Sequence, residues 1–388
     1  MKYCKRCVQP DTRPNIKFDE DGICGGCEYE ATKTITEWDK RKKALIEICE
    51  EAKNKATGYY DCVIGVSGGK DSTFQALYAK NELGLNPLLV CNAPDGRTDV
   101  GTHNIENLRS YGFDLVEIRP DPNVMMNLTK RDFFKYGNLV KSSEYSLWSS
   151  AYRVAAEKKI PLVIQGENPA LIFGLSDGVD GGNALTIKNS NTIDGCNAED
   201  LVISKADAKK YKCEEVALNQ LSMFQFPNDK ELKDIKGIFL QYYVKEWGQN
   251  HNTQFARSYG LKGRYTEKLT DIGRTFRETS VDGDHLLVNQ WLKYIKFGFG
   301  YETDAQCYNI RELGANREQA IKFVEMYDHC IGEQYIKAFC EYIDISMDTF
   351  AKHVAQIYNN KLFNINNNAK NASDLFIPKF KVGDGIVK

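Results

Sequence analysis

The run Ser67-Gly68-Gly69-Lys70-Asp71-Ser72 sets two glycines, two hydroxyls, a cation and a carboxylate in six consecutive positions. It follows the apolar stretch Cys62-Val63-Ile64-Gly65-Val66 and leads into Ser72 to Tyr78, which reads as helix. A glycine turn between a strand and a helix aims successive backbone N–H groups and the positive end of a helix dipole at one point, as a polyphosphate requires. Gly68 and Gly69 let the backbone approach the anion, Lys70 supplies charge, and Ser67 and Ser72 supply hydroxyls. Asp71 is the unusual member. A carboxylate beside a phosphate cradle fits if it holds Mg²⁺ or the sugar end of a nucleotide, and the spacing does not match G-x-x-x-x-G-K-[ST].

A second constellation is sulfur. Cys4-x-x-Cys7 and Cys24-x-x-Cys27, with sixteen residues between the pairs, match the spacing of a four-thiolate zinc site. An iron–sulfur cluster or a catalytic dithiol is the alternative reading. Gly25-Gly26, inside the second pair, would allow a tight turn that aims both sulfurs inward. Residues 1 to 40 are too few to bury a core of their own, so a metal would staple them.

These groups need a scaffold, and the composition supplies an ordinary one. Of 388 residues, 42% are hydrophobic and 27% charged, which suits two or three packed domains. Lys+Arg number 51 against 53 Asp+Glu, so no bulk basic field exists to hold a long nucleic acid. The first residues lack the apolar core of a signal peptide, and no run of 18 apolar residues occurs, so the expected place is cytoplasmic, away from any membrane. Twelve cysteines in such a compartment point to metal or redox chemistry rather than disulfides.

From about 41 to 235 the sequence alternates strand runs (61–66, 87–91, 114–118, 161–165) with helical patterns near 72–82, 100–111, 123–135 and 145–158, after a first helix from Trp38 to Ala52. Alternation of this kind predicts an α/β domain with a parallel sheet covered on both faces, and ligands bind outside the carboxyl ends of such strands. Those ends carry Ser67–Ser72, then Asn92-Ala93-Pro94-Asp95, then Gly166-Glu167-Asn168-Pro169. Turn chemistry alone would account for Asn92 and Asp95. Glu167 and Asn168 are candidates to position Mg²⁺, a ribose or a reacting group. Residues 174 to 200, rich in Gly and Asn, read as a loop near the site, either a gate or plain surface. From 236 to 388 apolar residues recur at helical spacing, with an Asn-rich connector from Asn364 to Ser373. Arg264, Lys268, Arg274, Arg277, His285 and Lys296 interrupt that pattern; each could meet an anion or simply face solvent. His285 is the candidate base, set against a structural histidine.

A strand followed by Ser67-Gly-Gly-Lys-Asp-Ser72 resembles the PP-loop ATP pyrophosphatases, a HUP-like class. More narrowly, the chain resembles the bacterial N-acetyl sugar amidotransferases of lipopolysaccharide and pseudaminic or legionaminic (nonulosonic) acid pathways. The resemblance rests on Cys4-Lys-Arg-Cys7-Val-Gln-Pro-Asp-Thr-Arg-Pro14, Gly22-Ile-Cys24-Gly-Gly-Cys27, the loop, Gly166-Glu-Asn-Pro-Ala170 and Ile295-Lys-Phe-Gly-Phe-Gly300. It implies a zinc ribbon over 1–40, a PP-loop ATP-binding domain over 41–235 and a mainly helical region over 236–388.

The implied reaction activates the acetamido group of a sugar with ATP and Mg²⁺, then exchanges its oxygen for ammonia to give an acetamidino sugar. Ser67, Gly68, Gly69, Lys70, Asp71, Ser72 and Gly166 would hold ATP; Lys70, Asp71, Glu167 and Asn168 would lie at the reacting centre; Cys4, Cys7, Cys24 and Cys27 would hold structural zinc. No cysteine has the context of a glutaminase nucleophile, Cys196 included, so ammonia should come from outside; the resemblance implies that a separate glutaminase and a channelling synthase-like subunit supply it. The rival is a PP-loop tRNA-thiolating enzyme. It would need a sulfur relay, and Cys62, Cys91, Cys196 and Cys213 are scattered.

Overall fold

The computed structural model describes residues 1–174, 181–189 and 197–387. Five short strands form one parallel sheet: β1 (Cys62–Gly65), β2 (Pro87–Asn92), β3 (Asp114–Ile118), β4 (Leu162–Gln165) and β5 (Lys236–Phe239), in the order β3-β2-β1-β4-β5. In register, Val63 lies beside Leu88 on one side and Val163 on the other. Alternate residues feed opposite faces. Val63, Leu88, Val90 and Val163 enter one core, while Cys62, Ile64, Leu89, Leu162 and Ile164 enter the other, so both faces are apolar at β1, β2 and β4, which read as continuous apolar runs.

The amino-terminal helices are α1 (Gly25–Thr32), α2 (Trp38–Lys55), α3 (Lys70–Asn81), α4 (Asp99–Ser110), α5 (Pro122–Tyr136), α6 (Lys141–Lys158) and the single turn α7 (Pro169–Phe173). Side chains of α2, α3 and α4 cover one face, and those of α5 and α6 the other. Local chemistry sets their ends. Thr98 Oγ1 accepts from Gly101 N–H (2.9 Å) to start α4, and Asp121 caps α5 ahead of Pro122, whose fixed φ suits a first helical turn.

The sequence missed β5. Phe239-Leu240-Gln241-Tyr242-Tyr243 reads as the start of helical periodicity, yet Lys236–Phe239 runs parallel to β4 and only then turns into a 3₁₀ segment over Leu240–Tyr242. Four residues with a glycine among them are too few to display a period of two. The sheet therefore extends past residue 235.

Short helices α8 (Lys205–Tyr211) and α9 (Asp229–Leu232) precede β5, and α10 (Gln249–Ser258) and α11 (Leu269–Ile272) follow it. The remaining helices are α12 (His285–Phe297), α13 (Tyr301–Leu313), α14 (Arg317–Tyr327), α15 (Glu333–Tyr342) and α16 (Met347–Ile357). Leu287, Trp291, Phe339, Phe350 and Val354 pack around Phe133 of α5, which joins this helical layer to the sheet domain. The Asn-rich segment is bounded by an antiparallel pair, β6 (Phe363–Ile365) and β7 (Phe376–Pro378), rather than being a loose connector; buried Phe363 and Phe376 anchor it. Tyr3 N–H donates to Gly385 C=O (3.1 Å), so the two ends of the chain meet. Among the described residues, no helix is long and apolar enough to cross a membrane.

Candidate active site at the sheet switch point

The strand order reverses between β1 and β4, where the crossovers leave a crevice at the carboxyl ends. Both chemistry-bearing motifs of this domain emerge there, Ser67–Ser72 after β1 and Gly166-Glu167 after β4. Gly68 takes φ +78°, where a side chain is strained, and a Cβ there would lie 3.2 Å from Asn104 Cβ. Gly69 begins α3 with no side chain capping it, so the first-turn N–H groups have no helical partners, a ready anion seat. The hydroxyls brace the loop: Ser67 Oγ accepts from Gly69 N–H (3.3 Å), and Ser72 Oγ donates to Gly69 C=O (3.1 Å).

Lys70 is 7% exposed, and its ammonium pairs with Asp71 Oδ2. Burial works against the Lys70 charge, but Asp71, Tyr301 and Glu167 outweigh it and hold the amine protonated well above the usual lysine range. The other oxygen of Asp71 accepts from Asn252 Nδ2 (2.8 Å). Glu167 faces the same space. Burial, reinforced by the Asp71 carboxylate and only partly offset by Lys70, pushes its carboxyl up to about 7.

Lys70, Asp71 and Glu167 line a cavity of ≈ 30 Å³, room for about one water molecule. Asn168 is not in that lining. Its Oδ1 accepts from Ala170 N–H (3.0 Å) to cap α7, and its own N–H donates to Gln241 Oε1 (2.8 Å), so it positions the Glu167 turn instead of facing the cavity. Gly166 is a close-packing position: its C=O accepts from Gln241 N–H (3.1 Å), and a Cβ would lie 3.1 Å from Gln75 Oε1.

The lining also includes residues the sequence did not single out for chemistry, among them Gln241, Gln249, Tyr308, Arg311 and Glu312. Tyr301 OH donates to Gln249 Oε1 (3.1 Å), and Gln249 Nε2 is buried without a partner among the described residues. Tyr301, Tyr308, Arg311 and Glu312 share one face of α13, directly after Ile295–Gly300. That adjacency was the available signal.

Further lining belongs to the cysteine segment: Gly26, Tyr29 and Glu30 of α1 and its C-cap Lys33. Cys4, Cys7, Cys24 and Cys27 are fully buried, with their sulfurs all within 4.8 Å of one another. Cys7 and Cys24 sulfurs are 3.6 Å apart and those of Cys4 and Cys27 4.0 Å. Zn–S bonds of about 2.3 Å in a tetrahedron place sulfurs roughly 3.8 Å apart, so the four residues fit zinc. Gly25 and Gly26 form the expected turn as the first turn of α1, closed by Cys27 N–H donating to Cys24 C=O (2.8 Å), and their bareness also serves contact. A Cβ on Gly25 would stand 2.8 Å from Gly174 Cα, and one on Gly26 2.5 Å from Ile172 O.

Other candidates fall elsewhere. Arg264 and Arg274, expected at the surface unless they meet an anion, are 2% and 1% exposed. Arg264 binds Glu267 and Asp284, and Arg274 lies 4.3 Å over the Tyr301 ring. Arg277 donates to Arg264 and Glu267 carbonyls, Lys268 is exposed, and Lys296 donates to Tyr136 C=O (3.1 Å). His285 lines a separate cavity of ≈ 210 Å³ with Asn92, Asp95 and Tyr342; burial lowers its pKa, and Tyr342 OH donates to Asp95 (2.7 Å). Cys62 and Cys91 are buried in the sheet core and Cys213 is half-buried; Cys196 and part of the 174–200 loop lie outside the described residues. Cys330 Sγ lies 3.6 Å from His329 Nε2, but burial pushes that thiol up to about 11, the opposite of an activated nucleophile.

Fold and site together define a doubly wound α/β protein with a glycine-rich loop at its switch point, near a buried four-cysteine cluster that could hold a metal ion. Residues 253–375 match the family described as LPS biosynthesis protein WbpG-like, C-terminal domain, which supports the family that the motifs point to. An uncharacterized protein of Methanocaldococcus jannaschii is 35% identical over 88 residues, 22% of this chain and 31% of its own length. The chain thus spans about a third of that relative. The NMN synthetase of Francisella tularensis is similar over 51% of this chain and 82% of its own, at 15% identity and a TM-score of 0.26. The strand order, not that likeness, defines the fold.

Proposed function

We propose that the protein is an ATP-dependent amidotransferase that converts the acetamido group of an N-acetylated sugar into an acetamidino group for bacterial surface glycan synthesis. The observation that carries this is the convergence of Lys70, Asp71 and Glu167 on one cavity beside the Ser67–Ser72 loop. The WbpG-like match of the carboxyl-terminal region supplies the lipopolysaccharide context.

An acetamide oxygen is a poor leaving group, and ammonia does not displace it unaided. Attack of that oxygen on the α-phosphorus of ATP expels pyrophosphate and forms an O-adenylyl imidate. Ammonia adds at the imidate carbon, a proton leaves the new nitrogen, and the carbon–oxygen bond breaks to release AMP and the amidine. The loop N–H groups and Lys70 offset phosphate charge as pyrophosphate departs. Asp71 would hold Mg²⁺ in exchange for one of its present partners, and the ion would supply further charge neutralisation on the phosphates. Glu167, with its carboxyl near 7, suits the proton that ammonia gives up, and the cavity beside it suits ammonia in size.

Ammonia would reach the site from a separate glutaminase and a channelling subunit. The test is pyrophosphate release by purified protein with ATP, Mg²⁺, ammonium and candidate N-acetylated sugars. Release dependent on the sugar supports the reading; release dependent on tRNA and a sulfur donor instead would overturn it.

A further inference from the structure

Arg311 is a buried cation of α13 that the proposed chemistry does not use. Its Nε lies 3.4 Å from Cys27 Sγ, and its Nη2 lies 3.3 Å from Cys24 Sγ and 3.6 Å from Cys7 Sγ. Its remaining arm, Nη1, donates to the carbonyl of Ile172 in α7 at 3.0 Å. One guanidinium therefore touches three of the four thiolates and the turn that follows Glu167-Asn168. Gly26 lets the three parts close up: a Cβ there would stand 2.7 Å from Arg311 Nη1 as well as 2.5 Å from Ile172 O.

We propose that Arg311 is a positioning residue that ties the metal-loaded thiolate cluster to the Glu167 turn, so that metal occupancy sets the geometry of the active cavity. Four thiolates around one divalent cation retain net negative charge, and its burial is costly without an opposite charge and donors. Arg311 supplies both, in the planar fork that a lysine lacks. Outer donors to metal ligands govern affinity, and their loss typically weakens binding about 10–100-fold. This inference rests on reading the cluster as a metal site and the cavity as the active site.

The test compares full-length wild type, Arg311→Gln and Arg311→Lys, each zinc-loaded, by transfer of zinc to a chromophoric chelator. Arg311→Gln is expected to hold zinc at least about 10-fold more weakly, with Arg311→Lys between it and wild type. In sugar-dependent pyrophosphate release, both variants should lose kcat with the KM for ATP little changed, because the Ile172 anchor is lost in each. Wild-type zinc retention in Arg311→Gln overturns the proposal. Should that variant not fold, Arg311→Lys decides alone: faster zinc release than wild type supports it, and an equal rate overturns it. The zinc comparison needs no turnover, so a wild type inactive on every sugar would remove the functional reading and leave the tie between Arg311 and the thiolate cluster to be decided by zinc retention alone.

Discussion

Lys70, Asp71 and Glu167 form a charge triad in which the Asp71 carboxylate supports the charge on Lys70 and opposes that on Glu167. Two carboxylates and one ammonium share a space of ≈ 30 Å³, and the carboxylate without a direct hydrogen bond to the ammonium is the one whose ionisation burial suppresses. Because the Glu167 carboxyl titrates near 7, its basic form is scarce at pH 6 and dominant at pH 8, so kcat/KM should rise across that interval. Glu167→Gln should lower the rate and remove the rising limb when free ammonia is held constant, as a pH–rate profile of the two proteins would show. Lys70→Ala should cut pyrophosphate release by about 100-fold or more, since a charge aimed at departing phosphate is lost from a water-poor site. A variant with full activity contradicts that assignment. The loop was legible in the sequence because its residues are consecutive. Asn252 was not: it reaches Asp71 from 181 positions away, and no spacing rule announces such a pair.

Among the elements, the β1–α3 and β4–α7 turns carry the site, and each depends on one residue of definite conformation. Gly68→Ala forces a side chain into the left-handed region and against Asn104 and Ile105, which should cost roughly 1–2 kcal/mol of stability by denaturant unfolding. Asn168→Ala removes the α7 cap and should cost about 1 kcal/mol, with a loss of rate because the Glu167 turn is no longer held. The parallel strands β1, β2 and β4 could be read from apolar runs because both sheet faces are covered there, whereas β3, an edge strand with Asp114 and Glu117 in it, was legible through the strand–helix alternation. β5 could not, because Lys236–Phe239 shows its character only through pairing with β4. Asn168 looked like a catalytic amide because cap residues and catalytic amides share one chemistry.

At the scale of the molecule, the cysteine segment and the carboxyl-terminal helices are walls of the cavity. α1 supplies Gly26 and Tyr29, and α13 supplies Tyr308, Arg311 and Glu312, so residues from both ends of the chain enclose the loop of the central domain. The spacing of Cys4, Cys7, Cys24 and Cys27 pointed to a cluster that could hold a metal, but the nearness of that segment to Lys70 is a property of packing and appears only in the fold. Removal of the metal by a chelator should therefore lower the melting temperature and abolish pyrophosphate release together, and zinc should restore both. Loss of activity with an unchanged melting temperature would contradict a structural metal.

The account turns on the acetamido oxygen attacking the α-phosphorus. A sugar carrying heavy oxygen in that group, turned over with ATP and ammonium, tests this directly by mass spectrometry of the nucleotide product. The prediction is AMP bearing the heavy oxygen in its phosphate, matched one for one by acetamidino sugar. Unlabelled AMP, or ADP in its place, would contradict it.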